Sequence, residues 1–94
     1  WLSFSLENGE LKNEKIFFDA TGIKEKGLAD GLKVHSKGYV FATGPGGVLI
    51  FAPGGKHIGT IKTMVSSANC AFNADESALY ITSDNYLTRI QLLK

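Results

Sequence analysis

Only one cysteine, Cys70, occurs in the 94 residues, so no intramolecular disulfide can staple the fold, and a lone thiol does not fix the compartment. Long apolar runs are missing as well. The longest, residues 48–52, is five residues, far short of the roughly 20 that a membrane helix takes. No sign of charge is in excess: ten basic residues are scattered among nine acids, for a net charge of +1. That balance gives no electrostatic ground for binding nucleic acid or an anionic membrane. Helical patterning is scarce, since apolar residues do not recur at i, i+3, i+4 and i+7 over any long window, and eleven glycines interrupt the chain. The composition, 44% hydrophobic and 20% charged, excludes a disordered chain. The opening Trp1-Leu2-Ser3-Phe4-Ser5-Leu6 has neither an initiator Met nor a signal-peptide pattern, and reads as a strand already under way. A mature chain or part of a longer one is expected.

What is present is a series of short β-type runs bounded by turn residues. Residues 2–6 alternate, Asn8-Gly9 makes a hairpin turn, and 14–19, centred on Ile16-Phe17-Phe18, reads as the returning strand. Strands are then expected over 31–34, 39–43, 48–52 and 57–62, separated by His35-Ser36-Lys37-Gly38, Gly44-Pro45-Gly46-Gly47 and Pro53-Gly54-Gly55. Three more follow over 70–73, 78–82 and 86–92, the last pair joined by Ser83-Asp84-Asn85. Nine antiparallel strands without crossover helices make the class all-β.

The order contains a repeat. Sliding the chain by 39 positions (69 − 30) lays Ala29-Asp30 on Ala68-Asn69, Phe41 on Tyr80, Thr43 on Thr82, Val48 on Leu87 and Phe51 on Ile90. A four-stranded unit recurring every roughly 40 to 50 residues is the mark of propeller blades. On this reading residues 1–20 hold the outer strands of one blade, 28–63 a complete blade, and 68–93 three strands of a last one. A small sandwich or barrel of the same hairpins has similar strand spacing, so the repeat alone leaves it open.

Four motifs narrow the choice: Ala29-Asp30-Gly31-Leu32-Lys33-Val34, Thr43-Gly44-Pro45-Gly46-Gly47-Val48, Ala68-Asn69-Cys70-Ala71-Phe72 and Leu79-Tyr80-Ile81-Thr82. In order and spacing they resemble the late blades of the gluconolactonase and senescence-marker-protein (regucalcin) family. Ala29 stands where the family has proline, and Asn73-Ala74 where it has two glycines. The resemblance implies that residues 1–94 are the C-terminal part, about two blades, of a six-bladed β-propeller with one divalent cation in its channel. Calcium is the expected cation, with zinc or another divalent metal as alternatives. Family members hold it with a Glu, middle-blade Asn residues and the Asp of the Asp-Gly motif. Only that Asp has an equivalent here, Asp30, so the other ligands would lie outside this chain.

Hard cations take several oxygen ligands, and a carboxylate at a strand start is a suitable one. The expected chemistry is a cation that polarises a lactone carbonyl and activates water, with Asp30 as metal ligand and general base. The alternative for Asp30-Gly31 is an ordinary turn. Asn69 is expected to line the pocket, and Ser83 and Asp84 to contact substrate at the next strand connection. The glycine-rich Gly44-Pro45-Gly46-Gly47 lacks the Lys-Ser/Thr and helix of a phosphate loop, and reads as a tight connection leaving room for substrate. His35 and His57 read as surface residues without ligand partners, and Cys70 as a small core residue. No base accompanies Ser66 or Ser67 as in a serine hydrolase.

These readings lead to a metal-dependent hydrolase of a small ester, a sugar lactone, with this chain supplying part of the pocket and inactive by itself. The alternative is a non-catalytic propeller used for binding or scaffolding. Expected partners are the lactone and either the remaining blades or other copies of the chain, because both end sheets leave open edges. No nucleic acid or membrane is expected.

Overall fold

The computed structural model describes residues 1–93, and among them are nine strands and no helix, hence none long and apolar enough to cross a membrane. β1 (Leu2–Glu7) and β2 (Glu10–Ile16) form a hairpin. β3 (Leu32–Val34), β4 (Val40–Gly44), β5 (Gly47–Phe51) and β6 (His57–Lys62) form a four-stranded antiparallel sheet in sequence order. β7 (Ser67–Phe72), β8 (Ala78–Ser83) and β9 (Tyr86–Gln91) form a three-stranded one, also in sequence order. The fold is the all-β one expected, about two blades' worth of meandering sheet.

Alternation along the strands gives the middle sheet two apolar faces. One face, with Phe41 and Val48, packs on Cys70, Leu79 and Ile81 of the third sheet. The other, with Ala42, Leu49 and Phe51, is covered by Trp1, Phe17, Phe18 and Ile23. Cys70 is buried as expected, and burial pushes its thiol pKa up.

The returning strand ends earlier than the sequence suggests, at Ile16 instead of Asp19. Consecutive strand residues point to opposite faces, yet Phe17 and Phe18 both pack on Phe51, with ring centroids 5.5 and 4.9 Å away. The chain therefore leaves the strand at Ile16, and both Phe amides turn to the Trp1 carbonyl.

The repeat also needs a correction. Its second and third strands keep the 39-residue offset, since Thr43 pairs with Val48 as Thr82 pairs with Leu87. Its first strands are offset by 38. Leu32 pairs with Ala42, and the matching pair is Cys70 with Ile81 (70 − 32 against 81 − 42). The β7–β8 loop, with Glu76 in a left-handed conformation, carries the extra residue. By register, then, Asn69 corresponds to Gly31, and Asp30 to Ala68. A one-residue shift turns a side chain to the other face, which decides where Asn69 points.

The two histidines are half-buried and partnered, not free surface side chains. The His35 ring meets Phe72 edge-on at 5.3 Å, and its Nε2 lies 3.5 Å from Glu76. His57 packs between Phe18 and Phe51, with Nε2 2.9 Å from the Thr60 hydroxyl. Both fill gaps between aromatic rings that the turn pattern does not reveal.

Candidate functional site

Residues 28–31 enter β3 without forming regular structure, and the backbone on the C-terminal side of Asp30 is held from two sheets. The Gly31 amide donates to the Ala68 carbonyl at 2.8 Å, bridging to the third sheet. The Gly31 carbonyl accepts from the Thr43 amide at 2.9 Å and from the Thr43 hydroxyl at 3.0 Å. That hydroxyl also lies 3.4 Å from the Ala68 carbonyl. Asn69 fills the space above Gly31: a Cβ on that glycine would lie 2.1 Å from Asn69 Oδ1. Asn69 Oδ1 in turn accepts from the Cys70 amide at 2.9 Å and from Lys33 Nζ at 3.2 Å.

While its backbone is fixed, Asp30 is exposed, and its carboxylate has no hydrogen-bond or ion-pair partner among the described residues. It lines a cleft of about 490 Å³ together with Ser66, Thr82 and Asp84. Asp84 is carried there by the turn between β8 and β9, in the left-handed conformation that Asp tolerates (φ 53°). Two residues 54 positions apart in sequence (84 − 30) thus face one cleft.

Of the other expected site residues, Asn69 does not line this cleft, because its amide oxygen is taken by Lys33 and its own neighbour. Ser83 is a correction. It ends β8 instead of sitting in the turn, is 1% exposed, and its hydroxyl bonds to Ser67 at 2.9 Å. Ser67 reaches Thr63 at 2.9 Å, and Thr63 donates to the Val65 carbonyl at 2.6 Å. This hydroxyl chain ties the end of β6 to β7 and β8, leaving Ser83 nothing to offer a substrate. Pro45-Gly46 is the two-residue turn between β4 and β5, with Gly46 at φ 89° as a type II turn requires. The loop leading to Asp30 is tied to it, as the Gly46 amide donates to the Lys26 carbonyl at 2.9 Å, and Pro45 lines a neighbouring cleft of about 450 Å³. The sequence gives Thr43 no site role, and Ser66 is weighed there only as a serine nucleophile and set aside. The recurrence of Thr43 as Thr82 was the available signal for the first, because Thr82 Oγ1 likewise contacts the Asn69 carbonyl at 3.3 Å.

The side chains at the cleft offer oxygen only, from two carboxylates and the hydroxyls of Ser66 and Thr82. Oxygen is the donor class that calcium takes, whereas zinc favours His and Cys. Among the described residues no three His, Cys, Asp or Glu side chains converge, so these residues alone do not make a complete ligand set.

The family model described as SMP-30/Gluconolactonase/LRE-like region matches residues 1–85. A gluconolactonase of Zymomonas mobilis is 34% identical over 67 residues, covering 69% of this chain and 19% of that protein. A gluconolactonase structure from Xanthomonas campestris superposes with a TM-score of 0.86 at 27% identity, over 98% of this chain and 30% of the other. The chain thus spans less than a third of the length of either relative. On the family match over 85 residues and the shared fold, this chain belongs to the SMP-30/gluconolactonase/LRE-like family.

Proposed function

We propose that this chain supplies part of the active site of a metal-dependent hydrolase that opens small lactones, of the sugar-lactone type. The observation that carries the proposal is the Asp30 carboxylate, unpartnered at a cleft while its backbone is fixed, in a chain whose relatives are named gluconolactonases. A calcium ion, when bound, supplies a positive charge that polarises the lactone carbonyl. Asp30 would hold that ion and accept a proton from the attacking water. Oxygen from water bonds to the carbonyl carbon, the ring C–O bond breaks, and the ring oxygen takes up a proton, giving a hydroxy acid. Asp84, which lines the same cleft, would accept hydrogen bonds from substrate hydroxyls. Asn69 would act indirectly, by packing on Gly31.

The test is the initial rate of glucono-δ-lactone hydrolysis by the full-length gene product, with calcium and with chelator. Asp30→Ala should lower kcat by about a hundredfold or more, the range of a lost general base. Asp84→Ala should raise KM several-fold (about 1 kcal/mol for one lost hydrogen bond) and change kcat little. Ser83→Ala should change neither. Hydrolysis indifferent to both chelator and Asp30→Ala would instead favour a non-catalytic propeller used for binding.

A further inference from the structure

The Thr43 side chain is fully buried, yet its hydroxyl hydrogen points to the one peptide segment that sets Asp30. Gly31 O already has a donor in the Thr43 amide, and Ala68 O already has one in the Gly31 amide. Neither carbonyl needs the hydroxyl to be satisfied. What the hydroxyl adds is therefore a link between the two carbonyls, not the satisfaction of either. Shared between Gly31 O at 3.0 Å and Ala68 O at 3.4 Å, the single hydrogen ties β4 to the segment entering β3 and to the one entering β7. Both segments line the Asp30 cleft, and the Gly31 amide joins them directly at the Ala68 carbonyl. The equivalent Thr82 makes the first of these contacts, to Asn69 O at 3.3 Å.

We propose that Thr43 is a positioning residue for Asp30: its hydroxyl fixes the distance between the two segments lining the cleft and thereby the direction of the carboxylate. The inference rests on the lactonase reading of Asp30, and goes beyond it by assigning a role to a buried residue that touches neither substrate nor cation. A displaced carboxylate lowers turnover more than it lowers substrate binding, because near-attack geometry falls off steeply with distance.

Thr43→Val, which keeps the shape and removes the hydroxyl, and Thr43→Ser, which keeps the hydroxyl, separate geometry from packing. Three measurements would be made on the full-length gene product: lactonase kinetics (kcat and KM for glucono-δ-lactone), manganese affinity, and hydrogen exchange of the Gly31 amide. Thr43→Val should lower kcat about tenfold with KM nearly unchanged, weaken manganese binding several-fold, and speed Gly31 exchange about tenfold, as expected for one lost hydrogen bond. Thr43→Ser should restore all three to within about threefold of wild type. Thr43→Val with wild-type kcat and Gly31 exchange would overturn the inference, as would a Thr43→Ser protein as impaired as Thr43→Val. If Asp30→Ala retains both turnover and manganese affinity, the lactonase reading fails instead, and that result is distinct because Gly31 exchange reports on Thr43 without reference to activity.

Discussion

Gly31 shows how one residue can decide a site. Its amide and carbonyl are both bonded across the fold, and the place of its missing side chain is taken by Asn69. Gly31→Ala would put a Cβ 2.1 Å from Asn69 Oδ1 and 2.9 Å from the Ala68 carbonyl. Asn69 can move away, but backbone cannot, so a destabilisation of about 1–3 kcal/mol is expected, read as a lowered denaturant midpoint. Asp30 was legible in the sequence because Asp-Gly stood inside a longer motif. Ser83 was misread because its neighbours in the turn are polar: in a strand end, burial depends on which face the residue takes, and that follows from register.

At the scale of elements, the number and order of strands were legible in the sequence, but not their ends or offsets. Alternation and turn residues locate hairpins, whereas the end of β2 was set by the convergence of Phe17 and Phe18 on Phe51, a long-range contact. The offset of 38 between first strands arose from one extra residue in the β7–β8 loop, which no local pattern announces. That loop also clasps the β3–β4 turn. Glu76 accepts from the Ser36 hydroxyl and, at 2.8 Å, from the Ser36 amide. These bonds, the hydroxyl's first, with smaller help from His35 and Lys37, hold the Glu76 carboxyl below its ordinary value of 4.5. A carboxyl lowered in the folded state adds stability above its unfolded value and loses it as pH falls through the folded value. Thermal midpoints should therefore drop on acidification below pH 4.5. Glu76→Gln should flatten part of that drop. The remainder should include Asp19, which the Thr21 amide and then its hydroxyl lower in the same direction. An unchanged acid profile in Glu76→Gln would show that the clasp contributes nothing.

Over the whole molecule, the packing of sheets repeats but is left open on one side. Phe41 and Val48 on the middle sheet are 7% and 0% exposed under the third sheet, while their counterparts Tyr80 and Leu87 are 38% and 72% exposed. The β1–β2 hairpin likewise exposes Leu2, Leu6, Leu11 and Ile16, and β9 is an edge strand. Apolar faces and free edges of this kind associate. Sedimentation of the 94-residue chain should show concentration-dependent self-association, and a monodisperse monomer at high concentration would contradict this. That these sheets are propeller blades was legible only through motif resemblance, because hairpin spacing is common to sandwiches, barrels and propellers.

The central claim, that a cation is held where Asp30 and Asp84 share a cleft, is tested most directly by titrating manganese into the isotopically labelled full-length gene product and following amide line broadening. Carboxylate sites accept manganese, and its unpaired electrons broaden nearby resonances. Broadening should begin at the amides of Ala29, Asp30, Gly31 and Asp84, and Asp30→Ala should abolish it there. Broadening that begins around Glu76 and His35, or that survives Asp30→Ala unchanged, would contradict the account.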